Sequence, residues 1–374
     1  AGVATLEGGH LTRRRAAGKL RHLEEKLERS PLSGHTGIGH TRWATHGAPT
    51  EGNAHPHATG RLALVHNGII ENFRELKDEL QAAGVRFETE TDTEVVAHLV
   101  SRNLEEGLSP EAAVGAALGR LEGAFALAII FDGEDDLMIA ARRGSPLAIG
   151  CGGGEMYLGS GAIALALFTD RVAYLEDGDW AVLSRAGVSV RDEAGGSVER
   201  PVIRTLATSF LIDKGNHRHF MAKEIAEEPE VVGHTLAHYL DFATGKASLP
   251  EGVAIDFASL DRLSITACGT AYYAGLTAKY WFERFARLPV DIDIASEFRY
   301  REQPLSPKGL SIVVSQSGET ADTLASLRYA KGEGQKVAAV VNVPTSTIAR
   351  EADYVLPTLA GPEIGVASTK AFTC

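Results

Sequence analysis

Residues 310–320 read Leu310-Ser311-Ile312-Val313-Val314-Ser315-Gln316-Ser317-Gly318-Glu319-Thr320, an apolar run rich in β-branched residues followed at once by small polar ones. A helical pattern follows over residues 321–331. Apolar runs at residues 263–267 and 337–341 are also followed by polar turns. Short, fully apolar strands that alternate with helices are typical of a parallel sheet covered on both faces. The second half of the chain is therefore predicted to be a doubly wound α/β domain.

The polar turn after Val314 predicts an anion site at the start of a helix. The hydroxyls of Ser315, Ser317 and Thr320 converge there with backbone amides, and Gly318 lets the backbone approach a ligand closely. Phosphate binds well at such a helix N-terminus. The alternative is that these Ser and Thr residues only cap the helix. Thr270, in the turn after a neighbouring predicted strand, is expected to face the same crevice.

The first 200 residues mix strands with helices and predict an α+β domain with much sheet. Amphipathic spacing predicts helices over residues 71–83 and 93–105, and Ser109-Pro110 is typical of a helix start. Strands are predicted over the apolar runs 61–65, 123–131, 137–141, 148–151 and 172–175. The predicted division is a first domain over residues 1–200, a linker over 201–218 where the periodicity weakens, and a second domain over 219–374.

A histidine-rich segment in the first domain predicts a site for a small polar ligand. It reads HTRWATHG at residues 40–47, HNG at 66–68 and TDTE at 91–94. Arg42 offers a planar fork for a carboxylate, and Asp92 suits an ammonium group. Asn67 and the Gly68 amide suit a developing oxyanion. These groups could together hold an amino acid, but the segment has no obvious nucleophile.

Two other interpretations of this segment stay open. Its five histidines allow a metal centre, although carboxylate or thiolate ligands at the usual spacing are missing; they are His40, His46, His55, His57 and His66. The other alternative, which the missing ligands favour over a metal centre, is that they are ordinary core or loop histidines. Asp92 could also serve as a helix cap before the apolar run that follows it, and this role is compatible with ligand binding.

Composition narrows the class of protein. The 374 residues are 44% hydrophobic and 23% charged, as in soluble globular proteins, and no apolar run is long enough for a membrane helix. A net charge of -12 argues against a nucleic-acid partner. The basic run Arg13-Arg14-Arg15 is interpreted as a solvated face. Three widely spaced cysteines predict a reducing, cytoplasmic location and no disulfide. Ala1 and Cys374 both look like cuts through a longer protein.

Taken together, the motifs resemble those of the glutamine:fructose-6-phosphate aminotransferase (isomerizing) family. The motifs are HTRWATHG, HNG, TDTE, Lys223-Glu224, CGT at 268–270, SEFRYR at 296–301, SQSGETADT at 315–323 and EIGVASTKAF at 363–372. The resemblance covers nearly the whole chain. It implies an N-terminal-nucleophile glutaminase sandwich without its first strand, followed by a sugar isomerase domain. Glutamine and fructose 6-phosphate would give glucosamine 6-phosphate, for amino-sugar biosynthesis, in a metal-independent homodimer without a cofactor.

The resemblance also implies roles for individual residues. Arg42 would hold the glutamine carboxylate and Asp92 its ammonium group, while Asn67 and Gly68 would form the oxyanion hole. The remaining assignments are Trp43, Thr45 and His46 around the glutamine, Thr270, Ser315, Gln316, Ser317 and Thr320 at the sugar phosphate, and Val366 and Ser368 at the sugar.

Departures from the family pattern bear on activity. The family nucleophile is an N-terminal cysteine whose own amino group is the base, and this chain begins with Ala1. Ala271 and Gly161 stand where the family usually has serine and aspartate. The second isomerase domain and the tail with the Schiff-base lysine are absent. The expectation is a fragment that binds ligands without turnover. The rivals are a non-enzymatic sugar-phosphate sensor and an amidotransferase that acts on phosphoribosyl pyrophosphate.

Overall fold

The computed structural model describes residues 1–42, 46–205 and 214–374. Trp43 and Thr45, which the resemblance places at the glutamine, lie outside the described residues. The chain divides into two compact units, Ala1–Thr208 and Ser209–Cys374. The division falls inside the range 201–218 that is predicted to be a linker. Strand pairing continues into that range at Val202–Arg204.

Antiparallel strands outnumber helices in the described part of the first unit. Its strands are β1 (Gly2–Glu7), β2 (His10–Arg15), β3 (Thr36–His40), β4 (His57–Ala58), β5 (Leu62–Ile70), β6 (Gly123–Phe131), β7 (Met138–Arg143), β8 (Ala148–Cys151), β9 (Met156–Gly159), β10 (Arg171–Tyr174), β11 (Trp180–Ser184), β12 (Gly187–Arg191), β13 (Ser197–Val198) and β14 (Val202–Arg204). Its helices are α1 (Leu20–Arg29), α2 (Phe73–Ala82), α3 (Thr93–Glu105), α4 (Pro110–Leu118) and α5 (Ala162–Leu165).

These strands form three sheets. The largest has the order β13-β12-β11-β7-β6-β5-β4, and the smaller two have the orders β2-β1-β3 and β14-β10-β8-β9. Alternate residues of β6 enter different cores: Leu127 and Ile129 belong to a cluster with the helices, whereas Ala128 and Ile130 belong to a cluster with β1 and β3. Both faces of the large sheet are therefore covered, by helices on one side and strands on the other.

Most local predictions for this unit are confirmed. The predicted strand 123–131 matches β6 residue for residue, and the predicted helix 93–105 matches α3. Ser109 begins α4 as expected, because its hydroxyl accepts a hydrogen bond from the amide of Ala112 at 3.3 Å, with Pro110 in the first turn.

The interpretation of the arginine run on β2 as a solvated face is wrong for all three residues. Arg13 and Arg15 are partly buried, and Arg14 is partly buried too and donates to the carbonyl and hydroxyl of Ser30. Arg15 donates to the carbonyls of Gly52 and Ala54 at 2.7 and 2.9 Å, and Arg13 donates to the carbonyl of Pro56 at 3.0 Å. Nη1 of each of these two side chains therefore holds the loop that leads into β4, because the carbonyls of that loop accept hydrogen bonds from it.

The second unit contains a parallel sheet with helices around it. Its described elements are α6 (Phe220–Tyr239), β15 (Leu240–Asp241), β16 (Lys246–Ala247), a 3-10 turn (Phe257–Ser259), β17 (Arg262–Ala267), α7 (Gly269–Trp281), a π-helical turn (Phe282–Ala286), β18 (Val290–Ile294), α8 (Ala295–Arg301), β19 (Gly309–Ser315), α9 (Ala321–Gly332), β20 (Lys336–Val341), α10 (Thr347–Glu351), β21 (Tyr354–Pro357) and α11 (Lys370–Thr373).

The sheet of the second unit confirms the α/β prediction. Its order is β18-β17-β19-β20-β21, and every neighbouring pair is parallel. Apolar clusters cover both faces. The register pairs Ala267 with Val314 and Ser315 with Val341, so the carboxyl ends of β17, β19 and β20 lie at one edge. The turns predicted to bind phosphate begin at this edge. Among the described residues, no helix combines the length and apolar character needed to cross a membrane.

Candidate functional site

A cavity of about 300 Å³ in the first unit brings the three sequence motifs together. It is lined by His40, Arg42, His46, His55, His66, Asn67, Gly68, Ile69, Thr91, Asp92 and Thr93. All five glutamine-site residues that the structure describes are therefore at one cavity: Arg42, His46, Asn67, Gly68 and Asp92. Its volume is at the small end of ligand pockets, which suits a ligand the size of an amino acid.

Asn67 and Gly68 lie on β5, opposite β6. Gly68 has φ of +140°, and a Cβ there would come within 2.0 Å of the carbonyl oxygen of Ala124. Only glycine fits this position, because a side chain would collide with backbone that cannot move away. The side-chain amide of Asn67 is exposed and makes no hydrogen bond within the described residues. It is available as a donor beside Gly68.

Asp92 directs its carboxylate at β5 rather than at its own helix. Its Oδ2 accepts a hydrogen bond from the amide of Ile70 at 2.9 Å and lies 3.9 Å from Nδ1 of His66. The residue is 3% exposed, and its side chain makes no capping bond to α3. The alternative interpretation of Asp92 as a helix cap is therefore wrong for the side chain. A carboxylate has capacity for further donors beyond the Ile70 amide.

Arg42 has a backbone conformation that is rare for a residue with a side chain, with φ of +49°. Its guanidinium donates to the carbonyls of Ala48 at 3.2 Å and Gly47 at 3.1 Å, and also to that of His46. The guanidinium predicted to bind a carboxylate thus holds residues 46–48, at the end of the HTRWATHG motif, in this structure. A ligand carboxylate at Arg42 would use Nε or the second hydrogen of Nη1, or replace one of these carbonyls.

Four histidines around the cavity are held neutral by burial. Burial lowers the pKa of His40 and of His66 to about 4 and that of His57 to about 3, and it also lowers the pKa of His55. Imidazole rings in this state can donate and accept hydrogen bonds at neutral pH. Within the described part of the chain, no group of three or more His, Cys, Asp or Glu side chains is arranged to hold a metal ion.

Two hydroxyls that the sequence analysis gave no role connect these rings. Thr93 Oγ1 lies 3.1 Å from Nε2 of His55 and 3.0 Å from Nδ1 of His66. Thr91 Oγ1 lies 3.2 Å from Nε2 of His57. Both threonines stand in the TDTE motif, but the imidazoles they contact are 27 to 38 residues away, so spacing alone could not pair them.

A much smaller cavity, of about 20 Å³, lies at the carboxyl edge of the sheet in the second unit. Its lining includes four of the seven residues predicted to bind the sugar phosphate: Thr270, Ser315, Gln316 and Ser368. Ser317, Thr320 and Val366 are not part of this lining. Nε2 of Gln316 is buried without a hydrogen-bond partner in the described structure, which is unusual for a side-chain amide.

The loop after β19 is shaped by its own hydroxyls and a glycine. Ser315 Oγ accepts from the amide of Gly318 at 3.0 Å and lies 3.2 Å from the hydroxyl of Thr320. Gly318 has φ of +66°, and a Cβ there would come within 1.9 Å of Ser346 Oγ. Thr320 precedes α9 without a side-chain capping bond, so the capping alternative is wrong for this residue.

Two carboxylates shape the segment that carries Val366 and Ser368. Glu224, from the Lys-Glu motif on α6, accepts from the amides of Ile364 at 2.5 Å and Gly365 at 3.0 Å. Glu363 accepts from the hydroxyl of Ser368 and from amides at the start of α11. Val366 itself is 91% exposed. The sequence analysis singled out the Lys-Glu motif but assigned it no contact.

Comparison with known proteins agrees with the two-unit description. The SIS domain family matches residues 256–374, and a glutamine amidotransferase domain family matches residues 40–166. Over all 374 residues the chain is 67% identical to glutamine-fructose-6-phosphate aminotransferase (isomerizing) of Bradyrhizobium diazoefficiens, of which it covers 62%. It is also 67% identical to the protein of the same name from Brucella abortus, of which it covers 61%.

Among solved structures, the C-terminal domain of glucosamine-fructose-6-phosphate aminotransferase from Francisella tularensis is 46% identical over 43% of this chain and 45% of that chain. The TM-score of this match is 0.40. The chain spans about three fifths of the length of the curated relatives it matches. Identity of 67% over all 374 residues of this chain, together with the matches to both domain families, shows that the chain belongs to the glutamine-fructose-6-phosphate aminotransferase (isomerizing) family.

Proposed function

We propose that this chain supplies the glutamine site and the first sugar-phosphate site of an enzyme that transfers the amide nitrogen of glutamine to fructose 6-phosphate. The products would be glucosamine 6-phosphate and glutamate. The observation that carries the proposal is the 300 Å³ cavity, which gathers all five described glutamine-site residues from three separate motifs. The names of the curated relatives support the same reaction.

In this proposal the cavity recognises both ends of the amino acid. The glutamine carboxylate binds Arg42, and the ammonium group binds the oxygen of Asp92 that the Ile70 amide leaves open. The side-chain carbonyl oxygen lies between the Asn67 amide and the Gly68 N–H, which stabilise negative charge as it develops. Neutral histidines around these groups add no charge that would repel the ammonium.

We also propose that these 374 residues bind glutamine without hydrolysing it. None of the three cysteines is among the residues that line the cavity in the described structure. Burial raises the pKa of the Cys268 and Cys374 thiols, which favours the less nucleophilic protonated form. An attacking thiolate would have to come from outside this chain. A non-enzymatic sugar-phosphate sensor, the rival function, gains no support from the comparisons.

The sugar phosphate is proposed to bind where β19 meets α9. The hydroxyls of Ser317 and Thr320 and the N-terminus of the twelve-residue α9 provide donors for phosphate oxygens. The buried Nε2 of Gln316 is a further donor that lacks an acceptor. The cavity beside Gln316 is only about 20 Å³, whereas Ser317 is exposed, so the phosphate is proposed to bind on the open side of the loop.

Calorimetry on the intact chain tests both sites. L-glutamine should bind, and Asp92→Asn should weaken it about tenfold or more because a charge-assisted contact is lost. Fructose 6-phosphate should bind independently, with weaker affinity in Ser317→Ala and Thr320→Ala. Each set of variants serves as the control for the other ligand. Equal affinities in variants and parent, or glutamate release by the purified chain, would refute the corresponding assignment.

A cytoplasmic homodimer is proposed for the full-length enzyme on the strength of the family resemblance. The three free cysteines fit a reducing compartment. Sedimentation velocity on a full-length relative and fractionation of the source cells would test the two statements separately. A monomer at micromolar concentration, or a secreted protein, would contradict them.

A further inference from the structure

The hydroxyl of Thr93 lies between two buried imidazoles at the cavity. Thr93 is 1% exposed, and His55 and His66 are 4% and 3% exposed. The distances from Thr93 Oγ1 are 3.1 Å to Nε2 of His55 and 3.0 Å to Nδ1 of His66. Both are ordinary hydrogen-bond lengths. Nothing in the sequence analysis, the family resemblance or the proposed function gives this hydroxyl a role.

One hydroxyl proton cannot be donated to both rings. A neutral imidazole carries one N–H, and burial keeps His55 and His66 neutral. A hydroxyl has two acceptor lone pairs, so Thr93 either donates to one ring and accepts from the other or accepts from both. Among the described residues the two rings are the hydrogen-bond partners of Thr93 Oγ1, and a buried hydroxyl proton needs an acceptor, so the first arrangement is favoured. The carboxylate of Asp92, 3.9 Å from Nδ1 of His66, favours a proton on that nitrogen. His66 is then the donor to Thr93, and Nε2 of His55 is the acceptor.

The same helix start holds β5 on both sides of Asn67 and Gly68. On one side the Thr93 hydroxyl contacts the ring of His66, the residue before Asn67. On the other side Asp92 Oδ2 accepts the amide of Ile70, two residues after Gly68. Two consecutive residues at the beginning of α3 thus fix the stretch of strand that contains the oxyanion donors.

We propose that Thr93 is a positioning residue: its hydroxyl fixes His66 as the Nδ1–H tautomer and His55 as the Nε2 acceptor, and it thereby holds the Asn67-Gly68 backbone in place. That glutamine is the ligand bound beside Asn67 and Gly68 rests on the proposed function. The contact between the Thr93 hydroxyl and the two rings does not depend on the ligand, and it is tested separately.

Nuclear magnetic resonance on the intact chain, with ¹⁵N-labelled histidine, reads the tautomers directly. In the parent protein, His66 should carry its proton on Nδ1 and His55 should have an unprotonated Nε2. Thr93→Val removes the hydroxyl and keeps the shape, so at least one ring should change tautomer or become a mixture. Thr93→Ser should restore the parent pattern. Ser101→Ala, which removes a buried hydroxyl from the same helix but away from the cavity, should leave both rings unchanged.

Two further measurements test whether Thr93 positions the Asn67-Gly68 backbone. The Asn67 and Gly68 backbone amide resonances should shift in Thr93→Val and return in Thr93→Ser, whether or not glutamine binds. L-glutamine should bind Thr93→Val about tenfold more weakly than the parent, the effect of losing roughly one net hydrogen bond. If the parent binds no glutamine, the proposed function fails, and the ring and amide resonances alone decide the role of Thr93.

Two results would overturn the proposal. One is a parent spectrum in which His66 carries its proton on Nε2, and this result needs no variant. The other is a folded Thr93→Val protein whose ring tautomers and Gly68 amide match those of the parent. If Thr93→Val does not fold, the parent spectrum together with Thr93→Ser still decides the assignment.

Discussion

Glu94 provides a quantitative test of how the start of α3 is held. Its carboxylate accepts hydrogen bonds from the amides of Glu88 and Thr89 at 2.8 and 2.7 Å and from the Thr89 hydroxyl at 2.7 Å, and it lies 3.4 Å from Nε2 of His98. The residue is 6% exposed. Burial alone would raise its pKa, but these donors outweigh burial and lower the pKa of Glu94 from 4.5 to about 2.

The size of the effect follows from that pKa. At about 1.4 kcal/mol per pH unit, a fall from 4.5 to about 2 corresponds to about 3 kcal/mol of stability from the ionised group. The unfolded chain binds the proton near pH 4.5, whereas the folded chain resists it until about pH 2. The contribution is therefore complete above pH 4.5 and is lost as the pH falls towards 2. Glu94→Gln resembles the protonated state and should lower the free energy of unfolding by about 2 to 3 kcal/mol at pH 7.

Hydrogen exchange of the α3 amides, measured by mass spectrometry, reports the opening of the first unit by itself. The difference in protection between parent and Glu94→Gln should be large at pH 7 and should shrink below pH 4.5. Glu88→Gln is the matched control. The Glu88 side chain is exposed and makes none of the hydrogen bonds to Glu94, and only the Glu88 backbone amide donates to the Glu94 carboxylate. A difference that does not change with pH, or an equal effect in the control, would show that the ionised Glu94 carboxylate does not hold the start of α3.

Three further predictions address other parts of the chain. Gly68→Ala should cost more than about 3 kcal/mol or prevent folding, because its Cβ would lie 2.0 Å from the Ala124 carbonyl; a melting temperature within a few degrees of the parent would contradict this. Arg15→Ala removes the nitrogen Nη1 that donates to two carbonyls and should lower stability by about 1 kcal/mol in urea unfolding, whereas an unchanged midpoint would return Arg15 to the solvated face. Glu224→Gln should speed hydrogen exchange at Gly365 and weaken fructose 6-phosphate binding; unchanged exchange there would show that the carboxylate does not hold this segment.

Periodicity was enough to predict much of the fold. The run at residues 123–131 is apolar on both faces of the predicted strand. Such a strand has to lie in the middle of a covered sheet, as β6 does. Ser109-Pro110 marked a helix start because cap chemistry acts over three residues. The alternation of strands and turns after residue 260 likewise required only local patterns and the rule for parallel sheets.

The contacts inside the candidate site depend on residues far apart in the sequence. Asp92 had the features of a helix cap, yet its carboxylate accepts the amide of Ile70, 22 residues earlier. Arg13 and Arg15 had the features of a solvated run, yet they bind carbonyls 37 to 43 residues away. A charged side chain can form hydrogen bonds with many backbone groups of the chain. Only the tertiary arrangement decides which of these groups lies close enough to be its partner.

The same limit applied to Thr93, whose hydroxyl makes its two contacts with rings on other elements. The resemblance, by contrast, named residues from three motifs as one site. The five that the structure describes line a single cavity. Sequence therefore indicated which residues share the site, whereas the hydrogen-bond partners within it needed the structure.

Binding of glutamine in this cavity is tested most directly by a titration of the ¹⁵N-labelled chain with L-glutamine. We expect saturable shifts of the Gly68 and Ile70 amides, no shift of the Gly318 amide in the second unit, and much weaker shifts with D-glutamine. The Asp92→Asn variant should need about tenfold more ligand for the same shift. Gly68 and Ile70 resonances that stay in place at millimolar L-glutamine would contradict the claim.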